Sequence, residues 1–188
     1  MKTYSSRREL LERVQNALAE KPRLAERGRK TLAASLVQRA PGVLNQVASI
    51  LQSGRDYLHV AIYLDGGTLL VRRGMAGAHT DCTTMKYGEG VVGRVAESGR
   101  VRMVPDVAAD SNYKRVLKET RSELVTPVRI AGRVFAVIDC ESDHPNPFSY
   151  QDRVLLSEVA SKLAVFLGTR GKFLLLEARD SVLAGLAP

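Results

Sequence analysis

The stretch RSELVTPVRIAGRVFAVIDCES, residues 121–142, constrains the fold of this chain more than any other segment. Two apolar runs with a period of two flank a glycine, a pattern typical of two antiparallel strands joined by a tight turn. Carboxylates stand near the outer ends, with Glu123 in the first run and Asp139 and Glu141 in the second. Because side chains alternate along a strand, Asp139 and Glu141 share one face and Cys140 lies on the other, where it is predicted to be a buried core residue.

The position of Glu123 relative to these acids depends on the register of the hairpin. A two-residue turn at Ala131-Gly132 sets Glu123 opposite Cys140, whereas a three-residue loop sets it opposite Glu141. Both registers are compatible with the residues. In the second register the three acids cluster, and they then raise one another's pKa or require a cationic partner.

Two interpretations of such a cluster remain open. In the functional one, the ammonium group of a small ligand is the cationic partner. In the structural one, the strand ends pair with Arg94, Arg121 or Arg129, or they cap loop amides.

The remaining periodicities predict an α+β fold. Apolar residues recur at helical spacing over residues 5–20, 32–51, 149–168 and 172–183, with Pro41 in a first helical turn, and at strand spacing over 57–64, 68–73 and 101–104. Residues 74–90 are expected to form a glycine-rich loop, 91–98 a short helix, and 110–120 a loop or one to two helical turns. We expect a mainly antiparallel sheet with terminal helices on one face, loops and short helices on the other, and a ligand cavity under the loops.

Composition places the chain among soluble globular proteins, with 45% hydrophobic and 26% charged residues. There is no apolar run of the roughly 18 residues that a membrane span needs, and the first residues do not resemble a signal peptide. Two cysteines form no disulfide framework. We therefore expect a cytoplasmic protein that does not enter a membrane.

The net charge of +8 is concentrated at the N-terminus. Residues 1–40 hold ten Lys/Arg and four Asp/Glu, whereas residues 41–167 hold fifteen and fourteen. A basic helical arm can contact nucleic acid or another anionic partner, and it can equally be a solvated helix face.

Three segments together resemble the GAF domain family: YGEGVVGRVAESGRVRMVPDV, the hairpin described above, and FSYQDRVLLSEVASKLAVFL. The resemblance covers roughly residues 40–168. It implies a GAF-like sheet and divides the chain into a basic helical extension (1–40), a GAF domain (41–168) and a C-terminal helical extension (169–188).

Within that family, the chain most resembles the free methionine-R-sulfoxide reductases. The resemblance places one loop cysteine of those enzymes at Cys82, a second at Val92 and the nucleophilic one near Val116, and it places their substrate-binding acids at Glu123, Asp139 and Glu141. Sulfoxide reduction needs one thiolate to attack and a second thiol to resolve the sulfenic acid. With valine at two of the three cysteine positions, we expect no reduction by the family's mechanism.

Other site chemistries find little support. His59, His79 and His144 are not spaced as metal ligands, and GEGVVG lacks the spacing and the βαβ setting of a dinucleotide fingerprint. No metal site is expected, and the sequence names no cofactor.

The favoured prediction is a non-catalytic sensory module that binds a small molecule under its loop layer and signals through its terminal helices, as a homodimer, to a separate output protein. The alternatives are a residual redox enzyme that uses Cys82, and an adaptor that uses the basic arm. The candidate ligand-binding residues are Glu123, Asp139, Glu141, Tyr87, Arg94 and Asp106.

Overall fold

The computed structural model describes residues 5–20 and 29–185, with the backbone alone described for 29–41. Within these ranges the chain forms five α-helices and one six-stranded sheet. The helices are α1 (Arg7–Ala19), α2 (Arg29–Arg55), α3 (Gly90–Ser98), α4 (Tyr150–Gly168) and α5 (Lys172–Leu183). The strands are β1 (His59–Asp65), β2 (Leu69–Gly77), β3 (Thr84–Lys86), β4 (Arg102–Val104), β5 (Ser122–Ile130) and β6 (Arg133–Ser142).

The sheet is antiparallel throughout, with the strand order β3-β2-β1-β6-β5-β4. β1 and β6 occupy its centre, and every residue of β1 is buried. Helices α1, α2, α4 and α5 cover one face through a large apolar cluster, while α3 and the connecting loops cover the other through a smaller one. The predicted fold class and the placement of the layers are confirmed.

The hairpin of β5 and β6 combines features of both predicted registers. Ala131 and Gly132 form the two-residue turn, with φ of 49° and 81°. A β-bulge follows, because Arg129 pairs with Val134 whereas Val128 pairs with Ala136. A bulge adds one residue to one strand and reverses which side chains lie opposite each other. Glu123 consequently pairs with Glu141, the outcome that the longer loop would have produced.

The helical layer begins with α1, which contributes Leu10, Val14 and Leu18 to the large cluster. At the other end of the fold, the predicted capping box starts α4: the Ser149 hydroxyl accepts from the Asp152 N–H, and the Asp152 carboxylate accepts from the Ser149 N–H. Of the described helices, none is long and apolar enough to span a membrane.

Three expectations change in detail. Pro41 does not lie in a first helical turn, because α2 begins at Arg29 and continues through it; a helix tolerates this at the cost of one backbone hydrogen bond. The loop expected over residues 74–90 contains β3, because the edge of β2 is free to pair with it. Residues 110–120 form a loop without helical turns. The helix break expected near Pro22 and Gly28 lies outside the described residues.

The turn at Ala131 offers a test of the hairpin geometry. A positive φ is strained for alanine and costs nothing for glycine, so we expect Ala131→Gly to stabilise the protein by about 1 kcal/mol in urea unfolding. Ala184→Gly is the matched control: its φ is −78°, and the same replacement there should not stabilise. A loss of stability in Ala131→Gly would contradict the assigned turn.

Candidate functional site

The three acids of the hairpin meet on the loop-covered face of the sheet. Glu123 and Glu141 are directly paired across β5 and β6, and Asp139 is two residues from Glu141 on the same face. All three are buried, with 3–4% of each residue exposed. Cys140 lies on the opposite face in the helix-covered cluster, as the alternation predicts. The interpretation in which these acids form one cluster is therefore the one that the structure adopts.

Few donors from the protein reach this cluster. The Thr120 hydroxyl donates to Glu141 Oε2. Glu123 Oε2 and Asp139 Oδ1 are buried. Among the described residues, no N–H or O–H group donates a hydrogen bond to either oxygen. Glu123 and Asp139 form a hydrogen bond with each other when one of the two carboxyl groups carries a proton.

Burial and mutual repulsion favour the neutral forms of these acids. Burial first, and then the charges of Asp139 and Glu141, raise the pKa of Glu123 well above its usual range. Burial and Glu141 do the same to the pKa of Asp139. Burial raises the pKa of Glu141 to about 7 against the opposing effect of the Thr120 hydrogen bond. Three carboxylates held this close cannot all be ionised without a compensating cation.

The histidine beside the cluster does not supply that cation. His59 on β1 pairs with Glu141 on β6, and its Nδ1 lies 2.6 Å from the Ala78 carbonyl oxygen. Since a carbonyl only accepts, Nδ1 carries the proton and Nε2 is an acceptor, buried and without a partner among the described residues. Burial lowers the pKa of His59 and keeps it neutral. The site therefore gathers acceptors that lack donors.

Among the candidate residues, Arg94 on α3 is a cation that acts on the acids: its positive charge lowers the pKa of Glu123. Its guanidinium is already engaged, however. Nη2 donates to Asp110 Oδ2 and Nε donates to the Gly90 carbonyl at 2.7 Å. Arg94 thus moderates the negative field of the acids while it ties α3 to the neighbouring loop.

Residues 110–120 form the cover over the acids. Val116 and Tyr113 pack on the loop-side cluster, and the charges of Glu141 and Glu123, after burial, raise the pKa of Tyr113. Two ion pairs tie the cover to the start of α3: Arg94 with Asp110, and Lys114 with Glu89 at 3.0 Å. A ligand that reaches the acids has to displace part of this cover, because the acids themselves are closed off from solvent.

The three positions that correspond to the reductase cysteines lie in the same cluster. Cys82, Val92 and Val116 all pack among the loop-side apolar residues. The Cys82 thiol donates to the Thr84 carbonyl at 3.3 Å. Cys140, the other cysteine, lies across the sheet. The layer over the acids accordingly contains one thiol.

Two candidate ligand-binding residues form hydrogen bonds with groups other than the acids. Tyr87 donates its hydroxyl at 2.7 Å to Asp65, at the opposite end of β1 from His59. Asp106 caps a 3₁₀ turn, Val107–Ala109, by accepting from the Ala108 N–H. Asp65 is not among the candidates predicted from the sequence, where it falls between the strands predicted over 57–64 and 68–73, although an acid at the end of a mostly apolar strand is a visible signal.

The surface offers a different kind of feature between α1 and α4. An open groove of about 760 Å³ is lined by Arg7, Arg8 and Lys162 together with polar neighbours. Arg7 and Arg8 are paired with Glu158 and Glu12. Among the described residues, no group of three His, Cys, Asp or Glu side chains could hold a metal ion.

The raised pKa values predict an unusual pH dependence. An acid whose pKa is raised in the folded state binds more protons there, so its contribution to stability is complete below its unfolded pKa and is lost as the pH rises through its folded pKa. For Glu141 that window runs from 4.5 to about 7. Asp139→Asn removes one of the interacting charges, so we expect it to exceed the wild type in free energy of unfolding by about 1–2 kcal/mol at pH 8 and by less at pH 5.

The control has the opposite sign. The hydrogen bond from Arg94 holds the pKa of Asp110 below its usual range, so Asp110→Asn should destabilise the protein, and more at pH 7 than at pH 3. Chemical denaturation across pH measures both variants. An Asp139→Asn protein that is less stable than the wild type at pH 8, by an amount independent of pH, would contradict the proposed electrostatics.

Comparisons with known proteins identify relatives of the chain and of its fold. Protein ZMO0507 of Zymomonas mobilis is 36% identical over 88 residues, which are 46% of this chain and 55% of that protein. The chain spans about half the length of the first curated relatives it matches. Type II free methionine-R-sulfoxide reductase from Thermoplasma acidophilum is 26% identical with a TM-score of 0.67, covering 70% of this chain and 94% of that one.

The free methionine-R-sulfoxide reductase of Neisseria meningitidis, solved in complex with its substrate, is 23% identical with a TM-score of 0.73 and covers 97% of this chain and 98% of that one. At that identity, the likeness describes the fold. The model of the GAF domain family matches residues 35–167, which is most of the described sheet and its helices. The chain belongs to the GAF domain family.

Proposed function

We propose that this protein is a non-catalytic binding module for a small molecule that carries an ammonium group, and that the acids Glu123, Asp139 and Glu141 receive that group. The observation that carries the proposal is the set of buried acceptors without donors: Glu123 Oε2, Asp139 Oδ1 and His59 Nε2. An ammonium group supplies several N–H donors and one positive charge, which are the two things this site lacks.

Proton exchange is part of this recognition. Without a ligand, burial and repulsion keep protons on the acids; a cation that enters makes the ionised forms favourable and releases protons. Affinity should therefore increase as the pH rises from 5 to 8. The reverse dependence is expected for ligands that bind as anions.

Where a ligand displaces part of the cover, the loop-side cluster offers apolar contacts to the rest of the molecule. The neighbouring side chains of the loop-side cluster include Val92, Val116 and Met85, all apolar. A ligand with an ammonium group and a short apolar chain matches both parts of the site. Free methionine-R-sulfoxide, the substrate of the structurally similar reductases, has such an amino group. It is therefore the first molecule to test.

The thiol count supports the proposed lack of reductase activity. Resolution of a sulfenic acid needs a second thiol, and Val92 and Val116 cannot provide it. Cys140 is separated from Cys82 by the sheet, so it cannot serve as a substitute. The redox alternative would depend on Cys82 and an external thiol.

The output of the module is proposed to pass through the terminal helices, in a homodimer, to a separate protein. Apolar side chains are exposed on the helices of that side: Val165 on α4 is 69% exposed, and Leu176 and Leu183 on α5 are 59% and 83% exposed. Single exposed apolar residues occur on most protein surfaces, and they mark a protein contact only where they form a contiguous patch. These three residues name the surface at which a partner is to be sought and leave the partner open.

Binding is tested by calorimetry with free methionine-R-sulfoxide, methionine and simple primary amines. We expect at least one amine-bearing probe to bind, and Glu123→Gln to reduce its affinity by about tenfold or more, because the variant loses a charge while keeping its size. Glu119→Gln is the matched control: Glu119 is exposed on the same cover and should leave affinity unchanged. Equal affinities in all three proteins, or binding confined to anionic probes, would contradict the proposal.

Catalysis is tested with the same sulfoxide and a dithiol reductant. We expect the wild type to bind without reducing it, and Cys82→Ser to behave identically, because Val116 stands near the position at which the resemblance places the attacking thiolate. Turnover that disappears in Cys82→Ser would instead support the redox alternative.

A further inference from the structure

A second buried carboxylate, Asp65 at the end of β1, connects three separate parts of the fold. The residue is 2% exposed. Its Oδ1 accepts from the Tyr87 hydroxyl at 2.7 Å and from the Gly67 N–H at 2.8 Å. Its Oδ2 accepts from Arg179 at 2.8 Å and from Arg133 at 3.1 Å. Tyr87 precedes α3, Arg133 begins β6 and Arg179 lies on α5, so one carboxylate joins all of them.

This carboxylate is ionised, in contrast to the hairpin acids. Burial acts to raise the pKa of Asp65, but the hydrogen bonds from Tyr87 and Arg179 outweigh it and hold the pKa below the usual range. A buried charge is tolerated only while its donors stay in place. The removal of one donor therefore weakens the hold on the others.

The C-terminal helix depends on this connection for part of its anchoring. Leu174 and Ala178 bury the inner face of α5 in the large cluster. Beyond Arg179, the polar anchor is Arg73, which donates to Ser181 Oγ at 2.9 Å. Val182 of α5 packs so closely on the β1–β2 turn that a Cβ at Gly66 would lie 2.7 Å from its Cγ2. The turn that carries Asp65 and α5 thus form one closely fitted unit.

Tyr87 belongs to the loop layer, which covers the face of the sheet on which the acids lie. It lies between β3 and the start of α3, and α3 holds the cover through Arg94 and Asp110. Among the described contacts, Tyr87 and Arg179 share no direct hydrogen bond, and Asp65 is the group common to both. A shift of the loop layer that moves the Tyr87 hydroxyl changes the donor set of Asp65 and thereby the hold on Arg179.

We propose that Asp65 couples the loop layer over the acids to α5, so that the position of Tyr87 controls how firmly the C-terminal helix is held on the sheet. The signal that this coupling would carry rests on the proposed ligand binding. The coupling itself is a property of the protein without ligand, and it can be measured there.

Hydrogen exchange in the full chain tests the coupling. Tyr87→Phe removes one hydroxyl that does not touch α5, and we expect exchange in residues 172–183 to accelerate about fivefold beyond the change in the rest of the chain. Arg179→Gln should accelerate the same segment, and the double variant should show less than the product of the two single effects, because both act through Asp65.

Tyr57→Phe is the matched control. It also removes a buried tyrosine hydroxyl that donates to a carboxylate, Asp152 at 2.9 Å, but it lies off the proposed connection. It should not accelerate α5 selectively. The proposal is overturned if Tyr87→Phe leaves α5 unchanged, if it accelerates α5 no more than the other helices, or if the two changes multiply independently.

Arg179→Lys provides a milder variant if Arg179→Gln folds poorly; it keeps the charge and loses the planar guanidinium, and we expect an intermediate acceleration of α5. None of these measurements uses a ligand. A failure here therefore leaves the Glu123→Gln binding result standing, and a failure to bind amines leaves the coupling standing.

Discussion

The β-bulge in the hairpin of β5 and β6 decides the chemistry of the loop-covered face. Without it, the tight turn at Ala131-Gly132 would place Glu123 on the helix-covered face, as an unpaired carboxyl inside the large apolar cluster. With it, Glu123 joins Asp139 and Glu141 beneath the cover. The bulge costs a local irregularity in the ladder, and in exchange it keeps the helix-covered side apolar and concentrates the acids in one place. The packing of the helices and the character of the site both depend on that single extra residue.

The fold contains two kinds of buried carboxyl, and their donors separate their roles. Asp65 has a full set of donors and a lowered pKa, as expected of a group that holds elements together. Glu123 and Asp139 each keep an oxygen without a donor and have raised pKa values, which is unfavourable for stability. Groups that remain unsatisfied in the folded protein are typical of places where a ligand completes the structure. Burial alone would not have distinguished the two.

Much of the fold could be predicted from periodicity and turn residues, because these are local properties. The alternation over residues 121–142 was sufficient for two strands, for the shared face of Asp139 and Glu141 and for the opposite face of Cys140. The local pattern left the register open, since a bulge follows from packing that no local pattern shows; the resemblance to the reductases favoured the pairing of Glu123 with Glu141 that the structure has. Tyr87 is a candidate ligand-binding residue in the sequence, yet its partner is 22 residues away at Asp65. Contacts of that kind depend on the assembled sheet and not on sequence spacing.

Two valines, Val92 on α3 and Val116 in the cover, connect the missing thiols to the electrostatics of the site. Relative to cysteine, valine at positions 92 and 116 offers neither a thiolate nor a weak S–H donor, so these two positions supply no hydrogen bond to the acids. Apolar walls increase the cost of ionising Glu123 and Asp139, which strengthens their demand for a cation or a proton. The same substitutions that remove the resolving chemistry therefore make the acids more dependent on what binds to them. Under the proposed function, a site altered in this way binds the ammonium group without the thiols that the reductase mechanism needs.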